Sequence, residues 1–120
     1  MNSYQTKARA QGKYLRLSTH KVRRVADQIR GKNYKEALLM LKFMPYKSCI
    51  AITKVLKSAT SNLQQQNNNI PSQEISIIQI FVNKGPTMKR FQPRAQGRAF
   101  PIHKPTCHIN IQVGINTNNN

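Results

Sequence analysis

The apolar residues of this chain fall into two rhythms, helical in the first half and strand-like in the second. Val22, Val25, Ala26 and Ile29 recur at steps of three and four after Leu17-Ser18. This predicts a first helix with Ser18 as N-cap and a staple between Leu17 and Val22. Gly31 ends it, and Lys21, Arg23, Arg24, Gln28 and Arg30 fall on its other faces, giving a basic exterior. Asn33 and Glu36 have capping-box spacing ahead of Ala37, Leu38, Leu41 and Met44, which predicts a second helix stopped by Pro45. The same proline suits the first position of a third helix, because that position needs no N–H donor.

The third helix is the longest, with Cys49, Ile52, Leu56, Ala59 and Leu63 on one stripe and Lys47, Lys54 and Lys57 off it. It is expected to be the main core helix. It dissolves into the polar tract Gln64 to Asn69, which Pro71 closes. Beyond it, Ile75, Ile77, Ile78, Ile80 and Val82, with Phe81 among them, predict a strand buried on both faces near its start. Cys107, Ile109, Ile111, Val113 and Ile115 alternate with polar partners, a period of two that turns one face to the core. A weaker strand is expected around Tyr4 to Ala10.

Between the two strong strands, residues 83–105 are too long for an ordinary connection and contain no acid. Paired as a hairpin with some ten residues per arm, they would project roughly 30 Å from the domain at ~3.3 Å per residue. Pro101 and Pro105 lack the N–H of a ladder donor, so the outer arm is expected to be irregular.

Composition changes the picture most through charge. The 120 residues hold 20 Lys and Arg against 3 acids, Asp27, Glu36 and Glu74, for a formal net charge of +17. Such a surface repels itself until a polyanion supplies the missing charge, which makes nucleic acid the leading partner. The longest apolar run, Ala37 to Leu41, is far below the ~18 residues of a membrane-spanning helix. The start of the chain has no apolar core of a secretory signal, and it lacks the helical amphipathicity of an organellar transit peptide. Cys49 and Cys107 form no CxxC pair and fit a reducing compartment.

Other chemistries find little support. Three scattered acids, without a nucleophile motif or phosphate-binding loop, provide no acid–base constellation, so no catalytic residue is assigned. Asp27 is read as an internal partner of a nearby base and Glu36 as a helix cap. His103, Cys107 and His108 do not converge on a metal, because alternation sends Cys107 to the core face and His108 to the other. A helix-turn-helix DNA reader is disfavoured because its second helix would be mostly apolar. A cationic membrane-active peptide is disfavoured because the apolar helix faces are needed for the core.

The segment 83–105 carries Lys84, Lys89, Arg90, Arg94, Arg98 and Lys104, spaced to engage several phosphates at once, with Phe91 and Phe100 available for stacking. Within it, Gly85-Pro86-Thr87-Met88-Lys89-Arg90 and Pro93-Arg94-Ala95-Gln96-Gly97-Arg98-Ala99 resemble the hairpin signature of large-subunit ribosomal protein family twenty-two. The resemblance extends to Leu17-Ser18, Lys21-Val22-Arg23, Val25-Ala26-Asp27 and Ile29-Arg30-Gly31, and spans Ala8 to Val113. Thr87 stands where many relatives have Ser, and the Asn-rich end, 116–120, has no role in the pattern.

The resemblance implies an α+β fold, three helices packed on a small three-stranded antiparallel sheet with a long protruding β-hairpin. One domain would span 1–120, with the hairpin at 83–105 and a polar tail at 116–120. It implies a structural constituent of the large ribosomal subunit that binds its ribosomal RNA, bridges RNA domains during assembly and supports translation. The RNA-binding set would be Arg16, Lys21, Arg23, Arg24, Arg30, Lys32, Lys84, Lys89, Arg90, Arg94, Arg98 and Lys104. The hairpin tip, Met88, Lys89, Arg90, Phe91, Gln92, Pro93 and Arg94, would line the polypeptide exit tunnel and meet the nascent chain. Neighbouring ribosomal proteins are expected partners; a cofactor, a metal, membrane insertion and a homo-oligomer are not expected. Pro105-Thr106-Cys107-His108-Ile109 looks like the cyanobacterial and plastid branch, and with abundant Asn, Ile and Lys it favours a chloroplast ribosome over a bacterial cytoplasm.

Overall fold

A computed structural model describes residues 4–66, 70–86, 88–93 and 99–116, with residues 4–6, 72, 88–93, 99–104 and 116 described by their backbone. The order is β1 (Tyr4–Leu15), α1 (Thr19–Ile29), α2 (Tyr34–Phe43), α3 (Ser48–Gln66), a 3-10 turn (Ser72–Glu74), β2 (Ile75–Lys84), β3 (Met88–Pro93), β4 (Ala99–Lys104) and β5 (Cys107–Asn116). The fold is α+β, with three helices on a three-stranded antiparallel sheet of order β1-β5-β2 and a separate two-stranded ribbon, β3-β4.

β5 is central because it carries the cleanest alternation: Cys107, Ile109, Ile111 and Val113 are all buried, and both neighbours register on them. Ala8 pairs with Val113 and Ala10 with Ile111 on one side. Ile77 pairs with Val113, Ile80 with Ile111 and Val82 with Ile109 on the other. These inward residues meet Val22, Ile29, Ile52, Leu56 and Leu63 in one core. Each fully buried aliphatic side chain contributes about 1.5–3 kcal/mol from leaving water. α3 packs across β1 and β5 and α1 against β2, so the helices cover one sheet face and leave the other open.

Several local expectations change. Ser18 holds the N-cap position of α1 but its side chain makes no cap hydrogen bond; only its carbonyl is used, accepting from Val22 N–H at 3.1 Å. Asn33 does cap α2, accepting from Lys35 N–H at 3.0 Å, while Glu36 turns to Lys32 instead of completing the box. α3 begins at Ser48, not Pro45, after two overlapping four-residue turns in which Cys49 and Ile50 N–H donate to the carbonyls of Tyr46 and Lys47. The N-terminal strand runs on to Leu15, with a bulge between Gly12 and Leu15. β2 buries Ile75 and Ile77 but bulges between Ile77 and Gln79, leaving Ile78 half-buried and Phe81 exposed.

The outer arm is also more regular than its prolines suggested. β3 and β4 keep a continuous register from Met88↔Lys104 to Pro93↔Ala99, with Pro101 opposite Phe91. In a two-stranded ribbon every second residue turns its N–H away from the partner, so a proline is tolerated there. The break falls between Lys84 and Met88, where no strand pairing links the ribbon to the main sheet. The chain measures 69 × 26 × 25 Å with a radius of gyration of 17.7 Å, against about 14 Å for a compact chain of this length. The excess is the ribbon standing out from the domain. Residues 67–69, 94–98 and 117–120 lie outside the described residues.

Candidate nucleic-acid interface

The three acids neutralise almost nothing. Asp27 pairs with Arg30 at 2.6 Å and Glu36 with Lys32 at 3.9 Å, both on exposed ground where such pairs are weak. Glu74 sits in the 3-10 turn before β2. No acid lies in β1 or after Glu74.

The basic face of α1 divides into two groups. Arg23 donates from Nε (3.2 Å) and Nη2 (2.9 Å) to the carbonyl oxygen of Val82, and Arg30 donates from Nη2 to that of Ile80 at 2.9 Å. Both acceptors lie on β2, whose outer edge has no strand neighbour among the described residues and would otherwise leave carbonyls unpaired. The loop after α1 extends this cover, since Ile77 N–H donates to Lys32 O at 2.9 Å. Arg16, Lys21 and Arg24 are exposed and make no ion pair among the described residues. A basic helical face thus contains two arginines committed to the fold and neighbouring cations open to an external anion.

At the ribbon root, Lys84 is exposed and pairs in register with Cys107. Gly85 N–H donates to Thr106 O at 2.9 Å, and the buried Thr106 hydroxyl donates to Pro86 O. A Cβ on Gly85 would come within 2.5 Å of that hydroxyl oxygen, so the close crossing requires glycine. Lys89 and Arg90 lie on β3 and Lys104 on β4, with Lys89 registered on His103 and Arg90 on Ile102. Arg94 and Arg98 lie outside the described residues.

Sequence reading left three groups out of the interface. Lys7 and Arg9, with Asn62, Gln65, Gln66 and Gln112, line a shallow polar groove of about 370 Å³ at the free edge of β1. Lys42, Lys47, Lys54 and Lys57 rim a groove of about 790 Å³ between α2 and α3, floored by Leu38, Leu41 and Ile50. On the open sheet face, the register aligns Arg9, Gln112 and Gln79 in one row and Gln11, Asn110 and Phe81 in the next. Phe81 was legible only as a hydrophobic residue; its position in register with outward-facing Asn110 marks it as exposed.

Cys107 is buried and His108 half-exposed, on opposite faces, and no three metal-binding side chains cluster among the described residues. No described helix is long and apolar enough to cross a membrane. Burial raises the thiol pKa of both Cys49 and Cys107, so neither is an activated nucleophile.

Comparison with known proteins agrees with this surface. The family model described as ribosomal protein L22p/L17e matches residues 10–114. The large ribosomal subunit protein uL22c of Porphyra purpurea is 60% identical over 105 residues, covering 88% of this chain and 90% of the relative. The uL22 of Thermosynechococcus vestitus is 56% identical over 106 residues, covering 88% and 86%. The uL22c of Marchantia polymorpha is 51% identical over 114 residues, covering 95% of each.

Proposed function

Because the chain belongs to the ribosomal protein L22p/L17e family, whose members are structural, non-enzymatic constituents of the large subunit, we propose that it works there by binding ribosomal RNA. The relatives named uL22c support the plastid ribosome as its location. The observation that carries the RNA reading is a net charge of +17 joined to a ribbon that stands away from the core. An acid-free arm of this length gains little by remaining in water. Inserted between RNA helices, it sheds self-repulsion and releases counterions from each phosphate it neutralises.

On this reading Arg16, Lys21, Arg24 and Lys84 contact RNA from the domain, while Lys89, Arg90, Arg94, Arg98 and Lys104 do so from the arm. Arg23, Arg30 and Lys32 take part only with donors that β2, Asp27 and Glu36 leave unused. Spanning domain and arm, the chain holds separate RNA segments together during assembly. The stretch Met88 to Arg94 of the arm lines the exit tunnel and meets the nascent polypeptide, and the exposed flanks of the domain meet neighbouring ribosomal proteins. Residues 1–120 act as one unit with 83–105 as its arm and 116–120 as a polar tail. Measuring affinity for large-subunit ribosomal RNA against salt tests the mechanism. With six or more phosphates engaged, raising salt from about 50 to about 200 mM should weaken binding roughly a thousandfold, whereas a flat response contradicts it.

A further inference from the structure

We propose that the open face of the three-stranded sheet is a second RNA-binding surface, a platform for unpaired nucleotides that stack on Phe81 and are held at their polar edges and phosphates by Arg9, Gln79 and Gln112. The inference rests on the reading of the chain as an RNA binder, and it assigns that role to residues outside the hairpin and the α1 face.

Topology assembles this surface from three distant segments. Arg9 of β1 registers on Gln112 of β5, which registers on Gln79 of β2. One row along, Gln11, Asn110 and Phe81 lie side by side. In the following row Asn83 registers on His108, whose ring meets that of Tyr14 edge-on with centroids 4.9 Å apart. The side chains inward of these rows are the buried core, so among the described residues the helices leave this face uncovered, except at the β1 edge, where Arg9 and Gln112 share a groove with Asn62, Gln65 and Gln66 of α3.

The chemistry of the face distinguishes its occupant. A solvated antiparallel sheet face needs only polar residues, usually of mixed charge. Here β1, β2 and β5 contain no acid, and the exposed rows are amides, cations and aromatic rings. Phe81 is 41% exposed and Tyr14 63%, both beside hydrogen-bonding neighbours. A protein-docking face would carry an apolar centre, but the rows around Phe81 are amides. Aromatic rings flanked by amides and cations on an open sheet match what unstacked bases require: a π surface, donors and acceptors for their edges, and positive charge for the backbone.

His108 is fixed for this role. Its Nδ1 accepts the N–H of Tyr14 at 3.0 Å, which fixes the orientation of the ring. That bond occupies the amide which the β1 bulge withdraws from the ladder, and Tyr14 takes a φ of 55° there. The aromatic end of the platform is thereby held by backbone geometry.

The test uses the full chain, a mixed-sequence single-stranded oligoribonucleotide of about 16 nucleotides, a duplex RNA of the same length, and large-subunit ribosomal RNA. Phe81→Ala, at an exposed position, and Gln112→Glu, at a half-buried one, are compared with the double variant Arg90→Ala/Arg94→Ala, with thermal melts recording folding. The platform predicts that each sheet variant melts like the parent, binds the single strand at least about fivefold more weakly, and loses less on the duplex. Photocrosslinks from the single strand should fall in the peptides containing Tyr14 or Phe81. Unchanged single-strand affinity, an equal loss on the duplex, or crosslinks confined to the arm would overturn it. So would capture of a ribosomal protein by this face in intact subunits. If only the arm variant weakens ribosomal RNA binding, the platform falls and the general RNA reading stands; if neither weakens it, both fall.

Discussion

Arg23 grips the carbonyl oxygen of Val82 with Nε at 3.2 Å and Nη2 at 2.9 Å, tying the middle of α1 to β2 near the end of that strand. The contact closes an exposed strand edge and fixes α1 relative to the arm's root. Replacing Arg23 with Ala should cost about 1–2 kcal/mol, since the hydrogen bonds are charge-assisted but partly solvated. Arg23→Lys should recover little of this, because an ammonium lacks the two-pronged geometry. Urea denaturation reads both values; full recovery by Lys would show that charge alone matters.

Gly85 is the tightest point of the arm's root. Gly85→Ala places a methyl 2.5 Å from the buried, hydrogen-bonded hydroxyl of Thr106, which has no free direction to retreat. The expected loss is about 1–3 kcal/mol. Amide hydrogen exchange should show it as faster opening of Gly85 and its neighbours, with β1 protection retained.

Gly31 supplies a contrasting case. Its φ is +79° and nothing lies within 4 Å of an added Cβ, so Gly31→Ala meets backbone strain without a clash. A destabilisation of about 1 kcal/mol is expected, with RNA affinity unchanged when the protein is folded. A loss above about 3 kcal/mol would mean the turn after α1 is more crowded than its geometry shows.

The two thiols should be silent in the native state. Cys49 and Cys107 are buried and free, and burial raises both pKa values. A raised folded-state pKa means that the folded chain binds protons more tightly than the unfolded one. The contribution to stability is therefore full below the ordinary thiol pKa and is lost as pH rises through the elevated value. Thiol-reactive dye should label the native protein slowly and the urea-unfolded protein fast. Melting temperature should fall on the alkaline side less steeply in a Cys49→Ala/Cys107→Ser variant than in the parent.

The repeating elements were legible because burial writes a period into sequence. The stripe Cys49, Ile52, Leu56, Ala59, Leu63 became the buried face of α3, and the alternation from Cys107 to Val113 became the central strand. Contacts between elements were not legible. Arg23 and Arg24 look alike on a helical wheel, yet one holds Val82 O and the other stays exposed, because only the docking angle of α1 on β2 decides which reaches the edge. The same holds for Phe81, placed outward by a bulge two residues earlier that hydrophobicity does not signal. Pro45 was compatible with opening a helix, but the turns at Tyr46 and Lys47 delay it to Ser48.

On the proposed RNA-binding function, the basic arm lies in the RNA of the large subunit, with its far end at the tunnel. The most direct measurement is to isolate large subunits, wash them in high salt, and map crosslinks from photoreactive groups placed at Arg90 and Arg94. The chain should stay with the washed subunits and both positions should crosslink to ribosomal RNA, with a nascent-chain crosslink appearing in translating ribosomes. Release of the chain by the wash, or crosslinks only to proteins on the subunit surface, would contradict it.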